Sequence, residues 1–178
     1  AGHTFGDINE NENIGGSDIY LTKFNQKGNL IWTKTLGTLE DDYPTSLATD
    51  FNGSIYISGT TWGDLDSNNN TGSSDAFISK FNTNGTKEWT TLIGSNMSDQ
   101  SNAITTDING SIYIAGYTEG NLDGNDNSNF GDPDIFITKL SNNGEKNWTK
   151  LLGNSTHDYA RALTTGIDGY IYVSGNTL

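Results

Sequence analysis

The sequence lacks cysteine and has few basic residues, and both features exclude classes of function. With no Cys, the chain forms neither disulfide bonds nor thiolate nucleophiles. Nine Lys and Arg stand against 22 Asp and Glu, giving a formal net charge of −13. Phosphate binding needs clustered basic residues, so we expect no nucleic-acid partner. No apolar run approaches the ~18 residues of a membrane-spanning helix, so we expect no transmembrane segment.

Apolar residues at helical spacing are also missing, which argues against long helices. Only 32% of the residues are apolar, but 11% are aromatic and Gly numbers 22. This balance is typical of many short strands joined by turns rich in Gly, Asn and Asp, so the sequence predicts an all-β fold. The chain begins at Ala1 without a signal-peptide pattern, and we expect a mature form or an excised piece of a longer protein.

A phrase of β-branched and aromatic residues between two glycines recurs three times, at 53–59, 110–116 and 169–175. Its spacing is 57 residues (110 − 53) and then 59 (169 − 110), within the range of propeller blades. We divide the chain into repeats at 1–58, 59–115 and 116–174, with 175–178 opening another repeat. The tail, Ser174–Thr177, matches the head, Ala1–Thr4, so the two ends are equivalent.

Each repeat predicts four short strands, of which the first repeat's are Asp18–Phe24, a strand leading to Trp32, Tyr43–Asp50, and the recurring phrase. Four antiparallel strands make one propeller blade, so we predict three tandem blades. Closed propellers need ~4–8 blades. The chain is therefore expected to be part of a larger propeller, an oligomer or an open array. Trp32, Trp89 and Trp148 are expected to pack between blades.

The repeated residues resemble the bacterial SBBP-type β-propeller repeat. The resemblance is carried by Asp18, Lys23, Gly28, Trp32, Gly37, Asp42, Gly53, Tyr56, Gly59 and their equivalents. It implies a propeller fold in an extracellular or cell-surface protein, with other copies or further repeats as partners. The sequence departs from the pattern at Gln100, where the other repeats have Tyr, at Gly166, where they have Asp, and in two residues inserted before Asp134.

Three loops that follow the recurring phrase carry oxygen side chains at matching places. In the first two loops these are positions 1, 3, 5 and 12 of a twelve-residue stretch, and in the third loop two inserted residues precede the last of them. This spacing resembles that of looped Ca²⁺ sites, in which alternate oxygens turn inward and a last carboxylate closes the shell. We predict Ca²⁺ as the cofactor. The candidate ligands are Asp7, Asn9, Asn11 and Asp18 in the first loop; Asp64, Asp66, Asn68 and Asp75 in the second; and Asn121, Asp123, Asn125 and Asp134 in the third, where Asp126 and Asp132 add further oxygens.

A second interpretation of these loops stays open. They lack the Gly that an EF-hand has at position 6, and Asn, Asp and Gly also build turns and cap backbone N–H groups. Asp18, Asp75 and Asp134 would then cap strand starts. For Asp42, Asp99 and Asp158, which follow the recurring Gly corner, turn capping is the preferred interpretation.

The sequence offers no candidate acid–base constellation, because His3, His157 and Arg161 occupy non-equivalent positions in their repeats. We therefore expect a non-catalytic structural or interaction module. The alternatives are a fibril subunit assembled head to tail, and a fragment of a propeller enzyme or carbohydrate-binding protein. Candidate partners include a glycan or a surface protein. Glycosylation acceptors of the Asn-x-Ser/Thr type lie at Asn52, Asn69, Asn84, Asn96, Asn109, Asn147 and Asn154.

Overall fold

The computed structural model describes residues 1–127 and 131–178, in which short β-strands alternate with turns. A single-turn 3₁₀ segment lies at Leu65–Ser67. The strands in these residues are β1 (Gly2–Thr4), β2 (Asp18–Phe24), β3 (Leu30–Leu36), β4 (Asp42–Thr49), β5 (Ile55–Thr61), β6 (Asp75–Phe81), β7 (Lys87–Ile93), β8 (Asp99–Thr106), β9 (Ile112–Thr118), β10 (Asp134–Leu140), β11 (Lys146–Leu152), β12 (Asp158–Thr165) and β13 (Ile171–Thr177).

The strands form four antiparallel sheets in chain order. Sheet 1 contains β1, β2 and β3, and sheet 2 contains β4, β5, β6 and β7. Sheet 3 contains β8, β9, β10 and β11, and sheet 4 contains β12 and β13. Within each sheet, strands that follow one another in the chain are neighbours. The all-β prediction of four-stranded antiparallel blades is confirmed by sheets 2 and 3.

The grouping of strands into blades differs from the expected one. We expected each sequence repeat to form its own blade, but each complete sheet joins the last two strands of one repeat to the first two of the next. The expected repeat boundaries at 58/59 and 115/116 fall inside β5 and β9. A periodic sequence gives the length of the unit, whereas hydrogen bonding between strands decides where one sheet ends and the next begins.

The tight turns between β2 and β3, and at the equivalent places, follow from their Asn and Gly residues. Asn25 Oδ1 accepts hydrogen bonds from the backbone N–H of Lys27 at 2.9 Å and of Asn29 at 3.0 Å. Gly28 adopts φ +80°, a left-handed conformation that glycine takes without a steric penalty. The turn therefore reverses the chain at this point, as the sequence predicted.

Two apolar cores lie between successive sheets. The first core joins sheets 1 and 2 and contains Ile19, Leu21, Leu36, Ile57, Leu65, Phe77 and Phe81. The second joins sheets 2 and 3 and contains Tyr56, Ala76, Ile78, Ile93, Ile104, Ile112, Ile114, Leu122, Phe136 and Leu140. Sheet 2 thus buries both of its faces, one in each core. Stability in such a stack comes from contacts between neighbouring sheets rather than from one central core.

Candidate functional site

The loops proposed to bind Ca²⁺ connect neighbouring strands of one sheet. The second loop, for example, joins β5 to β6 within sheet 2. One blade per repeat would have placed these loops, which follow the last strand of a repeat, between blades; that expectation was wrong because the blade grouping differs. The chain instead passes from sheet to sheet through short corner segments, residues 37–41, 94–98 and 153–157. Residues 128–130 of the third loop lie outside the described part of the chain.

The first position of each loop closes the loop on itself. Asp7 Oδ1 accepts a hydrogen bond from the backbone N–H of Asn13 at 3.0 Å. In the second loop, Asp64 Oδ1 accepts the equivalent hydrogen bond from the backbone N–H of Asn70 at 2.9 Å. In the third loop, Asn121 Oδ1 accepts it from the backbone N–H of residue 127 at 3.0 Å. The recurring oxygen at this position therefore satisfies a backbone donor six residues later.

The third position points toward the second strand of the hairpin that follows. Asn9, Asp66 and Asp123 have positive φ angles of 45°, 54° and 49°, which non-glycine residues adopt uncommonly. Asn9 Nδ2 donates to Thr33 Oγ1 at 3.0 Å, and Asp123 Oδ2 accepts from Thr149 Oγ1 at 2.6 Å. Asp66 and Asp123 also pair with lysines of that strand, Lys87 and Lys146 respectively.

The fifth position presents its amide nitrogen rather than its oxygen to the loop backbone. The carbonyl groups that accept from Asn11, Asn68 and Asn125 belong to Ile8, Leu65 and Leu122, at 3.2, 2.9 and 3.1 Å. An amide in this orientation holds a tight turn, as the alternative interpretation of the loops requires.

The twelfth position is buried, with Asp18, Asp75 and Asp134 all at or below 1% exposure. Asp18 Oδ2 accepts from the N–H of Ile14 at 2.6 Å, and Asp75 Oδ2 accepts from Thr71 N–H at 3.1 Å. Each carboxylate packs against a corner glycine. A Cβ added to Gly37, Gly94 or Gly153 would lie 2.2, 2.1 or 2.1 Å from the Oδ1 atom, so glycine is required there.

The four predicted positions thus contact different partners: the first and twelfth accept from separate backbone N–H groups, the third contacts side chains of the following hairpin, and the fifth donates to a loop carbonyl. Among residues 1–127 and 131–178, no group of three or more His, Cys, Asp or Glu side chains is placed to hold a metal ion. The predicted ligand sets mix carboxylates with amides, so this finding does not bear on them directly. Ca²⁺ binding stays a prediction.

The corner carboxylates cap turns, as the sequence favoured. Asp42 Oδ2 accepts from Thr38 N–H at 2.7 Å and from its hydroxyl at 2.9 Å. Asp99 accepts the equivalent bonds from Ser95 at 2.6 and 2.8 Å, and Asp158 accepts from the N–H of residue 154 at 2.9 Å. The Oδ1 atoms of Asp42 and Asp99 make no hydrogen bond within the described residues.

Sequence reasoning missed that each corner carboxylate lies near the twelfth-position carboxylate of the preceding sheet. The backbone N–H of Asp42 donates to Ser17 O at 2.6 Å, which places Asp18 beside it. Burial raises the pKa of Asp42, and the charge of Asp18 raises it further. Burial, with a smaller contribution from the charge of Asp99, raises the pKa of Asp75 to about 6. No spacing rule points to these pairs, because their members belong to different sheets.

A second recurring contact holds neighbouring sheets together. Lys23 Nζ of sheet 1 donates to Thr83 O in the β6–β7 hairpin of sheet 2 at 2.8 Å. Lys80 of sheet 2 donates in the same way to Asn142 O of sheet 3 at 3.3 Å, and Trp89 Nε1 donates to that carbonyl at 3.2 Å.

The recurring tryptophans lie at the same junctions. The position of a Cβ on Gly85 is 3.1 Å from the Trp32 ring, and that on Gly144 is 2.9 Å from the Trp89 ring. The predicted placement of these two tryptophans between blades is correct.

The histidines and the single arginine make unrelated contacts. The His3 ring meets the Tyr43 ring edge-on at 4.8 Å. His157 Nε2 lies 3.2 Å from Asp132 Oδ1, and Arg161 Nε donates to Asn176 Oδ1 at 2.9 Å.

All seven glycosylation acceptor asparagines have exposed side chains. The described residues contain no helix of the length and apolarity that crossing a membrane would require.

A series of antiparallel sheets of up to four strands, stacked face to face and joined by short corners, defines a set of β-propeller blades. The beta-propeller repeat model SBBP matches residues 31–66 and 88–123. These two matches confirm the resemblance to the SBBP-type β-propeller repeat that the sequence showed.

Two curated proteins are related to the chain over most of its length. It is 27% identical over 165 residues to the Regulatory protein FlaEY of Caulobacter vibrioides, a match that covers 85% of this chain and 17% of that protein. It is 24% identical over 166 residues to an uncharacterized WD repeat-containing protein of Acanthamoeba polyphaga mimivirus, covering 79% of this chain and 12% of that protein. The chain thus spans less than a fifth of either relative.

Among solved structures, a protein of unknown function from Bacteroides caccae matches with a TM-score of 0.49 and 12% identity. The match covers 85% of this chain and 49% of that one.

Proposed function

We propose that the chain is a non-catalytic structural and interaction module, extracellular or on the cell surface, that acts by stacking against further repeats of its own kind. The observation that carries this proposal is the repeated junction between sheets. The lysine contact and the apolar packing found between sheets 1 and 2 recur between sheets 2 and 3. A contact that recurs from unit to unit is suited to adding more units.

The related proteins support this proposal in a limited way. Both are much longer than the chain, one is named a regulatory protein and the other a WD repeat-containing protein. Stacked repeats in a long chain commonly form extended binding surfaces. The exposed glycosylation acceptors and the net charge of −13 suit an outer surface in contact with solvent.

Sedimentation velocity over a range of protein concentrations tests the proposal. We expect association that increases with concentration, and negative-stain images that show discrete rings or filaments. The fibril alternative predicts long filaments, because a head-to-tail contact that fails to close grows without limit. A chain that stays monomeric at every concentration would contradict the proposal.

We also propose that the three loops bind Ca²⁺ through the side chains at positions 1, 3, 5 and 12. What supports this is the recurrence of the same oxygen positions in three loops of an acidic chain, together with the carboxylate of Asp64 at the solvent-exposed first position of the second loop. Ca²⁺ prefers six to eight oxygen ligands and accepts carboxylates, amide carbonyls and water. The ion would stiffen the connection between the two central strands of a sheet.

Thermal melting with added Ca²⁺ and with EDTA tests the loop proposal. A ligand that binds only the folded state raises the unfolding free energy by RT ln(1 + [L]/Kd), so Ca²⁺ should raise the Tm. Asp64→Asn should reduce that increase, whereas the exposed residue Glu145, outside the loops, provides the matched control Glu145→Gln. Equal Tm values with Ca²⁺ and EDTA would exclude a Ca²⁺ site in these loops.

A further inference from the structure

Buried oxygen atoms without a hydrogen-bond partner are concentrated where one sheet meets the next. Among the described residues, six buried side-chain polar atoms have no such partner. Five of the six are oxygens at or near the start of β2, β4 or β8, and they belong to Ser17, Asp18, Asp42, Asp99 and Ser101. Buried polar groups in folded proteins are almost always hydrogen-bonded, so a group of exceptions at one kind of place calls for a physical explanation.

The first junction, between sheets 1 and 2, contains three of these oxygens. Asp18 and Asp42 are both 0% exposed. One oxygen of each carboxylate is hydrogen-bonded, since Asp18 Oδ2 accepts from the N–H of Ile14 and Asp42 Oδ2 accepts from Thr38. The other oxygen of each, Oδ1, makes no hydrogen bond among the described residues, and the hydroxyl of buried Ser17 makes none either.

The two carboxylates of the first junction contact consecutive residues of one corner. Asp18 Oδ1 lies 2.2 Å from the position of a Cβ on Gly37. Asp42 Oδ2 lies 2.7 Å from the backbone nitrogen of the next residue, Thr38. The backbone N–H of Asp42 donates to Ser17 O at 2.6 Å, which holds the start of β4 against the start of β2. The charge of Asp18 therefore repels that of Asp42.

The second junction, between sheets 2 and 3, repeats this arrangement. Asp75 and Asp99 are 1% and 0% exposed, and their charges repel each other. Asp99 Oδ2 accepts from the N–H of Ser95 at 2.6 Å, while its Oδ1 has no partner among the described residues. Asp75 Oδ1 has a long contact of 3.4 Å with the Thr71 hydroxyl. Ser101 follows Asp99 by two residues in β8, so its unpartnered hydroxyl lies on the same face of the strand.

No basic side chain pairs with these four aspartates among the described residues. The salt bridges formed there include none of them. Lys146 acts on Asp75 from a distance, but its own partner is Asp123. Two neighbouring carboxylates buried without a counter-charge are unfavourable, because burial penalises each charge and the two charges repel.

The chemistry of these oxygens indicates which class of ligand would neutralise them. Carboxylate and hydroxyl oxygens bind the hard divalent cations Ca²⁺ and Mg²⁺. One divalent cation cancels the charge of two carboxylates, whereas a monovalent cation leaves one negative charge. Mg²⁺ keeps several water ligands and demands octahedral geometry, while Ca²⁺ accepts irregular sets of oxygens, which suits a buried junction. Each junction has only two acidic side chains, so it is not a group of three or more.

We infer that each of these two junctions binds one Ca²⁺ ion between the twelfth-position aspartate of one sheet and the corner aspartate of the next. The pairs are Asp18 with Asp42 and Asp75 with Asp99, and the hydroxyls of Ser17 and Ser101 supply further oxygens. The ion joins two sheets, so it stabilises their stacking. This site goes beyond the loop sites of the proposed function, because the corner aspartates belong to no loop.

Isothermal titration of the metal-free, full-length chain with CaCl₂ tests the junction sites directly. Asp99→Asn should weaken the binding of one Ca²⁺ ion per chain by about tenfold or more, because Ca²⁺ affinity depends on the number of charged ligands. Asp42→Asn should have the same effect at the first junction, which gives a second variant at an independent site. Asparagine keeps an oxygen that can accept from Ser95 or Thr38, so each corner stays capped.

Two control variants separate the junction sites from the loop sites and from general effects of losing a carboxylate. Asp64→Asn removes a proposed loop ligand and no junction oxygen, so it should leave Ca²⁺ binding at the junctions unchanged. Asp107→Asn is the matched control, because Asp107 lies in a turn where both of its oxygens accept hydrogen bonds. Ca²⁺ binding that is weakened by Asp64→Asn but not by Asp42→Asn or Asp99→Asn would overturn the junction sites and leave the loop proposal standing. A wild-type chain that binds no Ca²⁺ would refute both.

Thermal melting gives a second test, in which the effect of one substitution differs between EDTA and Ca²⁺. In EDTA near neutral pH, Asp99→Asn removes one of two buried like charges, so its Tm should exceed that of the wild type. In Ca²⁺ this difference should shrink or reverse, because only the wild type gains stability from an ion at the second junction. A difference in Tm between the variant and the wild type that is the same in both solutions would overturn the inference.

Discussion

The interior and the ends of this stack contain the same residue types in different surroundings. Tyr113, in sheet 3, is 4% exposed, whereas its equivalent Tyr172 in sheet 4 is 54% exposed. The two tyrosines occupy the same strand position and each donates its hydroxyl proton to an aspartate. Burial in such a protein is therefore not specified by the repeat alone. It depends on whether a neighbouring sheet covers that face.

The largest expected difference between interior and end concerns the last residue of the second hairpin strand. Ile93→Ala should lower the unfolding free energy by about 2–5 kcal/mol, because Ile93 is fully buried in the second core. Leu152→Ala at the equivalent end position should cost less than about 1 kcal/mol in the monomer. Urea denaturation at low protein concentration measures both values. Similar losses for the two variants would mean that sheet 4 is covered in solution.

The interior of the stack should also show a dependence of stability on pH, because burial disfavours the charged form of the carboxylates at the interior junctions. The pKa of Asp75 is about 6 in the folded chain against an ordinary value of 3.8, so the folded state binds the proton more tightly than the unfolded state. Stability should therefore fall as pH rises from about 4 to about 6, by roughly 2 kcal/mol for this residue. The pKa values of Asp42 and Asp99 are also raised, which adds to the effect.

Urea denaturation between pH 4.5 and 7.5 measures this dependence. Asp75→Asn keeps an oxygen that accepts from Thr71 N–H and should flatten the curve, whereas Glu145→Gln on an exposed hairpin should leave it unchanged. Below pH 4 the trend should reverse, because hydrogen bonds hold the pKa values of Asp50 and Asp107 below the ordinary value, against the opposing effect of desolvation. A wild-type curve without a slope between pH 4 and 6 would contradict the buried-carboxylate explanation.

The smallest expected difference concerns the aspartates that hold the tight turns before the recurring phrase. Asp107 accepts from the N–H groups of Asn109 and Ser111 at 2.9 Å and from the hydroxyl of buried Tyr113 at 3.1 Å. Asp107→Ala should cost about 1–3 kcal/mol, because it leaves a buried hydroxyl without its partner.

Asp168→Ala at the end of the stack is the matched variant, and it should cost less than about 1 kcal/mol. Asp168 makes similar bonds to Tyr170 N–H and to the exposed Tyr172 hydroxyl, each at 3.1 Å. Thermal melting of the two variants checks the order, and a larger loss for Asp168→Ala would reverse the comparison.

Asp168 also shows how sequence equivalence misleads. The sequence has Gly166 where the first two repeats have Asp50 and Asp107, which suggested a lost side chain. In the structure, Asp168 supplies the missing carboxylate from two residues further along the chain. The contact is retained although the position of the aspartate is not, and only the geometry of the turn reveals it.

The strands and turns of the fold could be predicted because their signals are local. Runs such as Ile55-Tyr56-Ile57, bounded by Gly53 and Gly59, indicate a buried strand between two turns. The grouping of strands into sheets could not be predicted in this way, because every choice of starting strand gives the same period.

The candidate loops show the same limit at the level of single side chains. The spacing of Asp7, Asn9 and Asn11 predicts which residues carry oxygen but not where the oxygen points. The positive φ of Asn9 and the amide donation from Asn11 both depend on backbone geometry that spacing does not encode. The proximity of Asp18 to Asp42 could not be predicted from the sequence either, because it depends on how two different sheets are placed relative to each other.

The staggered grouping of strands affects how the stack would respond to a pulling force. Each repeat contributes strands to two sheets, so the backbone itself ties every sheet to the next through a corner such as residues 37–41. Five extended residues reach at most roughly 18 Å, at about 3.3–3.6 Å per residue. Neighbouring sheets under tension can therefore separate by little more than this distance before a strand must be stripped from its partners. Stretching would proceed in discrete steps, each of which breaks one ladder of hydrogen bonds.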